Sequence, residues 1–151
     1  EWAGRTTSDI VAALPEITEH AEIAGQIQSA VHAHWVAFLR ILCEPDFQFR
    51  LPDEAAELAV MVARSQLSLE TLIRFYRVGQ QATWTHITRV VSAIDGPRLD
   101  RTEILVHFWG RAALWIDQSM TASVEVFNRE HSRARDSADA RRFETLFDHA
   151  F

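Results

Sequence analysis

Prolines stand at positions 15, 45, 52 and 97 of the 151-residue chain and nowhere else, and each falls between long segments of helical periodicity. A proline inside a helix removes a backbone donor and clashes with the preceding turn, so breakers confined to the joints leave the intervening segments free to be helical. Strand-like alternation occurs only in FQFRL, residues 47–51, which is too short to make a sheet. The expected fold is all-α: a single-domain helical bundle with a long C-terminal helix. A chain of this length buries roughly two-thirds of the surface its unfolded form exposes, enough for one core.

Five helices follow from the capping and breaking signals. Thr7, Ser8 or Asp9 is placed to cap a short first helix over IVAAL that Pro15 ends or kinks. A long second helix is expected from about Glu16 to Cys43, followed by the irregular connection EPDFQFRLP. Asp53 has the character of an N-cap with acidic residues behind it, as the helix dipole prefers. Ser68 is expected to cap the fourth helix, which runs to about Ile94 and is closed by the turn DGP. Asp100 then caps a last helix that meets no breaker before the C-terminus.

The fourth helix carries the most telling face. At 100° per residue, Leu69, Leu72, Ile73, Tyr76, Ile87, Val90, Val91 and Ile94 share one stripe, which is expected to be buried. Midway along it lie Gln80 and Thr83 with Gly79 beside them, while Arg74, Arg77 and Gln81 point away. Such a soft centre is either a close helix crossing, where glycine admits a neighbour, or a small-ligand pocket lined by Tyr76, Gln80 and Thr83.

On the second helix the stripe is Ile23, Ile27, Ala30, Val31, Trp35, Phe38, Ile41 and Leu42, with His34 at its centre. His32 and His34 resemble a metal pair, but residues two apart on a helix diverge by about 200° and cannot share an ion. His34 alone is either a hydrogen-bonded core residue or a haem ligand in an apolar pocket. His86 and His107 lie at the margins of their faces. On the last helix Ile104, Leu105, Phe108, Trp109, Ala112, Trp115, Ile116 and Phe127 form the core side, and Leu114 stands alone on the polar side.

Several functions are disfavoured. A net charge of −6 opposes direct nucleic-acid binding, which needs concentrated positive surface. Cys43 is the only cysteine, so neither an internal disulfide nor a cysteine-based zinc site is expected, which suits a cytoplasmic setting. No apolar run of membrane-spanning length and no phosphate-loop, nucleophile-elbow or metalloprotease motif occurs. Neither catalysis nor membrane insertion is expected. Residues 128–142, NREHSRARDSADARR, contain only alanine as an apolar type before FETLFDHAF turns apolar again. The expected organisation is therefore a sensor body, 1–127, and a connecting helix, 128–151, leading toward a further module.

The run SLETLIRFYRVGQQATW, preceded by PDEAAELAVMVARSQL, resembles the N-terminal domain of actinobacterial PucR-type transcriptional regulators. That domain is itself likened to the N-terminal part of stressosome RsbT co-antagonist proteins. The matching positions are Leu69, Leu72, Tyr76, Arg77, Gly79 and Trp84, and the tail ARRFETLFDHAF is similar to the helix leading into the next module. The resemblance implies a signal-input and dimerisation role without catalytic residues, a globin-like bundle without haem, and contact with DNA only through a downstream helix-turn-helix. It implies a homodimer. From the faces themselves, the candidate ligand-binding residues are His34, Tyr76, Gln80 and Thr83, for a small-molecule effector and with no metal. A haem-binding sensor using His34 and a purely structural protein–protein module are the alternatives.

Overall fold

The computed structural model describes residues 1–150, and Phe151 at the end of the expected connecting helix lies outside them. The described residues form five α-helices and no strand: α1 (Trp2–Ala13), α2 (Ala21–Leu42), α3 (Asp53–Arg64), α4 (Leu69–Ser92) and α5 (Arg101–Ala150). The all-helical bundle with a long C-terminal helix is what the proline spacing predicts.

The boundaries differ in instructive places. α1 starts at Trp2, not beyond Thr7. Thr7 and Ser8 donate to the carbonyls of Ala3 and Gly4 from inside the helix instead of capping it. Pro15 opens a separate 3₁₀ turn, Pro15–Ile17, so α2 begins at Ala21, later than expected. Pro52 occupies the N-cap of α3 and Asp53 is its first helical residue, where its charge still faces the helix dipole. Asp100 caps α5 as expected, its Oδ1 accepting from the Glu103 backbone N–H at 3.1 Å.

α3 ends in a Schellman turn, in which the N–H of Leu67 reaches the carbonyl of Val62 and that of Gln66 reaches Ala63. Gln66 sits at φ 58° to make this possible, in the left-handed region usually left to glycine. The turn reverses the chain so that α3 leads directly into α4.

α3 packs on α2 and α5, α4 packs on α5 and α1, and α1 bridges α2 and α4. The main core gathers Ile10, Leu14, Ile23, Ile27, Leu58, Leu72, Phe75 and Tyr76 among others. A second, aromatic-rich cluster, centred on Phe38, Phe108 and Trp115, is roofed by Phe47 and Phe49 of the irregular connection. Arg111 fastens that connection by donating to the carbonyls of Glu44 and Pro45.

The expected faces of α2 and of the first half of α4 are buried or half-buried, but the last turns of α4 are largely exposed. Val90 and Ile94 are 41% and 37% exposed, and in these last turns only Val91 is buried. On α5 the polar segment from Asn128 is exposed except at Glu130 and the half-buried Ala138. Glu130 is buried, its carboxylate accepting from Arg64 of α3 at 2.7 Å. That pair marks the place where α5 leaves the body.

Candidate functional site

The four sequence-derived candidates His34, Tyr76, Gln80 and Thr83 line one cavity of about 70 Å³, walled by residues of α1, α2, α4 and α5. Each helix contributes through its inward stripe. α1 supplies Trp2 and Ile10, α2 supplies His34 and Phe38, α4 supplies Tyr76, Gly79 and Gln80, and α5 supplies Ala112 and Trp115. Gly79 bears on the two explanations of the soft centre. A methyl group placed on its Cα meets no other atom within 4 Å, so the glycine faces space and not a neighbouring helix.

A directed chain of hydrogen bonds runs along one wall. The indole N–H of Trp115 can only donate, and it does so to Nδ1 of His34 at 3.2 Å. A neutral imidazole with Nδ1 accepting carries its proton on Nε2, which donates to the Tyr76 hydroxyl at 3.1 Å. The Tyr76 hydroxyl in turn shares a hydrogen bond with Oγ of Ser123 at 2.6 Å. The chain leaves α5 at Trp115, crosses α2 and α4, and returns to α5 at Ser123.

Burial sets the electrostatics of this wall. Desolvation lowers the His34 pKa from 6.5 to about 4, so the ring is neutral at physiological pH and the tautomer imposed by Trp115 persists. Burial raises the Tyr76 phenol above its ordinary value, against the opposing influence of the Ser123 hydrogen bond, and keeps it protonated. With both nitrogens of His34 occupied, iron ligation by this residue requires breaking at least one of its hydrogen bonds.

The other two candidates differ in kind. Thr83 returns its hydroxyl to its own helix, donating to the Gly79 carbonyl at 2.8 Å. The Gln80 side chain makes no hydrogen bond to another described residue, so its amide, like the Thr6 hydroxyl on the same lining, has unused hydrogen-bonding capacity. His86 lies outside the cavity, its ring 5.7 Å from Trp2 and 6.0 Å from Trp35. His107 is exposed near the Leu42 carbonyl. Among the described residues no cluster of three or more histidine, cysteine or acidic side chains is placed to hold a metal ion. No helix among them is long and apolar enough to cross a membrane.

Sequence reasoning missed four contributors. Trp115 was legible as core but not as a donor. Ser123 and the fully buried Ser119, whose hydroxyl has no partner, share the α5 stripe with Ala112, Trp115 and Phe127. Two serines at helical spacing on an aromatic stripe are the signal that points to a buried polar network. Trp2 has no periodic context so close to the first residue and is recognised only from the tertiary structure.

No curated protein and no solved structure matches the chain. The family described as RsbT co-antagonist protein rsbRD N-terminal domain matches residues 1–142, which takes in all of the cavity-lining helices and most of the projecting part of α5. With a match over nearly the whole chain, on a five-helix body of this form, the chain belongs to the RsbT co-antagonist rsbRD N-terminal domain family, a family of regulatory signalling domains.

Proposed function

We propose that this domain is the signal-input and dimerisation part of a PucR-type transcriptional regulator, that the cavity takes the signal, and that α5 carries it to a downstream DNA-binding module. The observation that carries this is the closed hydrogen-bond circuit: Trp115 and Ser123, the two ends of the chain through His34 and Tyr76, both sit on the helix that leaves the body. A guest that displaces His34 or Tyr76 changes the hold on α5 at two points, eight residues apart in sequence. Only a guest that prefers one setting of α5 over another transmits anything.

The cavity restricts the guest. About 70 Å³ is far below the roughly 300–1,000 Å³ of sites for drug-sized ligands, so the effector is a small apolar molecule or a small apolar group of a larger one. Gln80 supplies the polar contact. The test is a thermal-shift screen of small neutral molecules against wild type and Gln80→Leu. A specific effector raises the wild-type melting temperature and loses most of that shift in the variant, whose helical circular dichroism is unchanged. Equal shifts in both proteins contradict a site at Gln80.

A second reading, a structural protein–protein module, is favoured by the exposed apolar residues Val90, Ile94, Leu99 and Val106 around the α4–α5 end of the body and by Leu114 further along α5. Under it the domain holds two chains in register and the cavity is incidental. Light scattering of wild type and Val106→Glu separates the two readings. Loss of the dimer with effector binding intact assigns this surface to assembly and the cavity to sensing.

A further inference from the structure

A second concavity, of about 500 Å³, runs along the outside of α1 and α4. Its lining includes the guanidinium groups of Arg5, Arg77 and Arg89 against a single acid, Asp9, on a chain whose net charge is −6. Cationic charge is thus concentrated in one groove of an acidic protein. Arg77 and Arg89 are exposed and form no ion pair among the described residues, and Arg5 has only a loose partner in Glu1 at 3.6 Å. Exposed pairs of that kind contribute little and exchange readily.

The two ends of the groove differ. Trp2 touches His86 near the C-terminal end of α4, whereas Glu16, just past α1, accepts from Thr71 and Arg74 near its start, so α1 and α4 run antiparallel. Arg77 lies twelve residues before Arg89, about 18 Å along the axis. Asp9, a turn beyond Arg5, falls toward the Arg77 end and offsets charge there. At the other end Arg5 from α1 and Arg89 from α4 flank His86, with the Thr85 hydroxyl and the Trp2 indole beside them. The positive field at this end reaches His86, whose pKa is lowered first by burial and then by Arg5 and Arg89.

We propose that this end of the groove binds a small organic phosphate, its phosphate held between Arg5 and Arg89 and its body laid against Trp2. Two guanidinium forks on opposite walls suit an anion with three peripheral oxygens better than a planar carboxylate. The groove volume lies within the range of small-molecule sites, and an indole wall suits a flat or apolar body. Because Trp2 and Thr6 line both this groove and the inner cavity, the two sites share one turn of α1.

Calorimetry at low ionic strength tests it, with adenosine monophosphate and inorganic phosphate as probes against wild type, Arg5→Gln, Arg89→Gln and the control Arg40→Gln. Each loss of a charge-assisted contact is expected to weaken adenosine monophosphate binding about tenfold or more. Arg40→Gln leaves it unchanged, inorganic phosphate binds more weakly than the nucleotide, and the His86 ring titrates at higher pH with the nucleotide bound. No heat from either probe at millimolar concentration, or equal weakening in Arg40→Gln, overturns the site. Equal affinity for the two probes overturns the role of Trp2. None of these outcomes depends on whether the inner cavity transmits a signal.

Discussion

The indole N–H of Trp115 donates to Nδ1 of His34 at 3.2 Å, with the two ring planes at 90°. The contact joins α2 to α5 across the wall of the inner cavity and sets the direction of the His34–Tyr76 hydrogen bond that follows it.

A histidine held neutral makes stability depend on pH. Its folded pKa of about 4 lies below the unfolded 6.5, so between those values the unfolded chain binds the extra proton. Stability is intact above 6.5 and falls as the pH drops toward 4, by up to roughly 3 kcal/mol from this residue. His86, also lowered, adds in the same direction. Urea denaturation at several pH values checks this: wild type loses stability across the window, and His34→Gln shows a shallower slope.

Tyr76→Phe leaves the Nε2–H of His34 and the Ser123 hydroxyl without their shared partner, and the loss of a buried partner costs about 1–3 kcal/mol. Ser123→Ala is expected to cost less in the Tyr76→Phe background than in wild type, since the bond it breaks is already gone. A double-mutant cycle by denaturant unfolding measures the difference, expected at about 0.5 kcal/mol or more.

Gly79→Ala separates a pocket wall from a helix crossing. The added methyl meets nothing within 4 Å, and alanine is the better helix former by about 0.5–1 kcal/mol, so the variant is expected to be more stable than wild type. A lowered melting temperature would mean that a neighbour packs against this position.

Glu130→Gln removes the charge that Arg64 engages where α5 leaves the body. Hydrogen–deuterium exchange is expected to quicken at residues 127–134 and to stay unchanged in α1.

Proline placement and period were enough for five helices, and the inward positions of His34, Tyr76, Gln80 and Thr83 were legible because each lies on a helix stripe. What they touch was not. The partners Trp115 and Ser123 lie 81 residues from His34 and 47 from Tyr76, and no local pattern reports such a pairing. Val90 and Ile94 continue the α4 stripe but are exposed, since periodicity marks one side of a helix and not which of its turns a neighbour covers. Glu130 was hidden by the reverse effect: in a polar run, one side chain turned toward Arg64 looks like its solvated neighbours.

Methyl and amide NMR under xenon pressure, in wild type and Gly79→Val, tests most directly whether the cavity is coupled to α5. Xenon is small and apolar, as the cavity requires. The expected result is a saturable shift of the Ile10, Val31 and Ile116 methyls together with the α5 amides from Trp115 to Ser123, both abolished in Gly79→Val. Cavity methyls that shift while those amides stay still, or no saturable shift at all, would contradict a cavity that signals through α5.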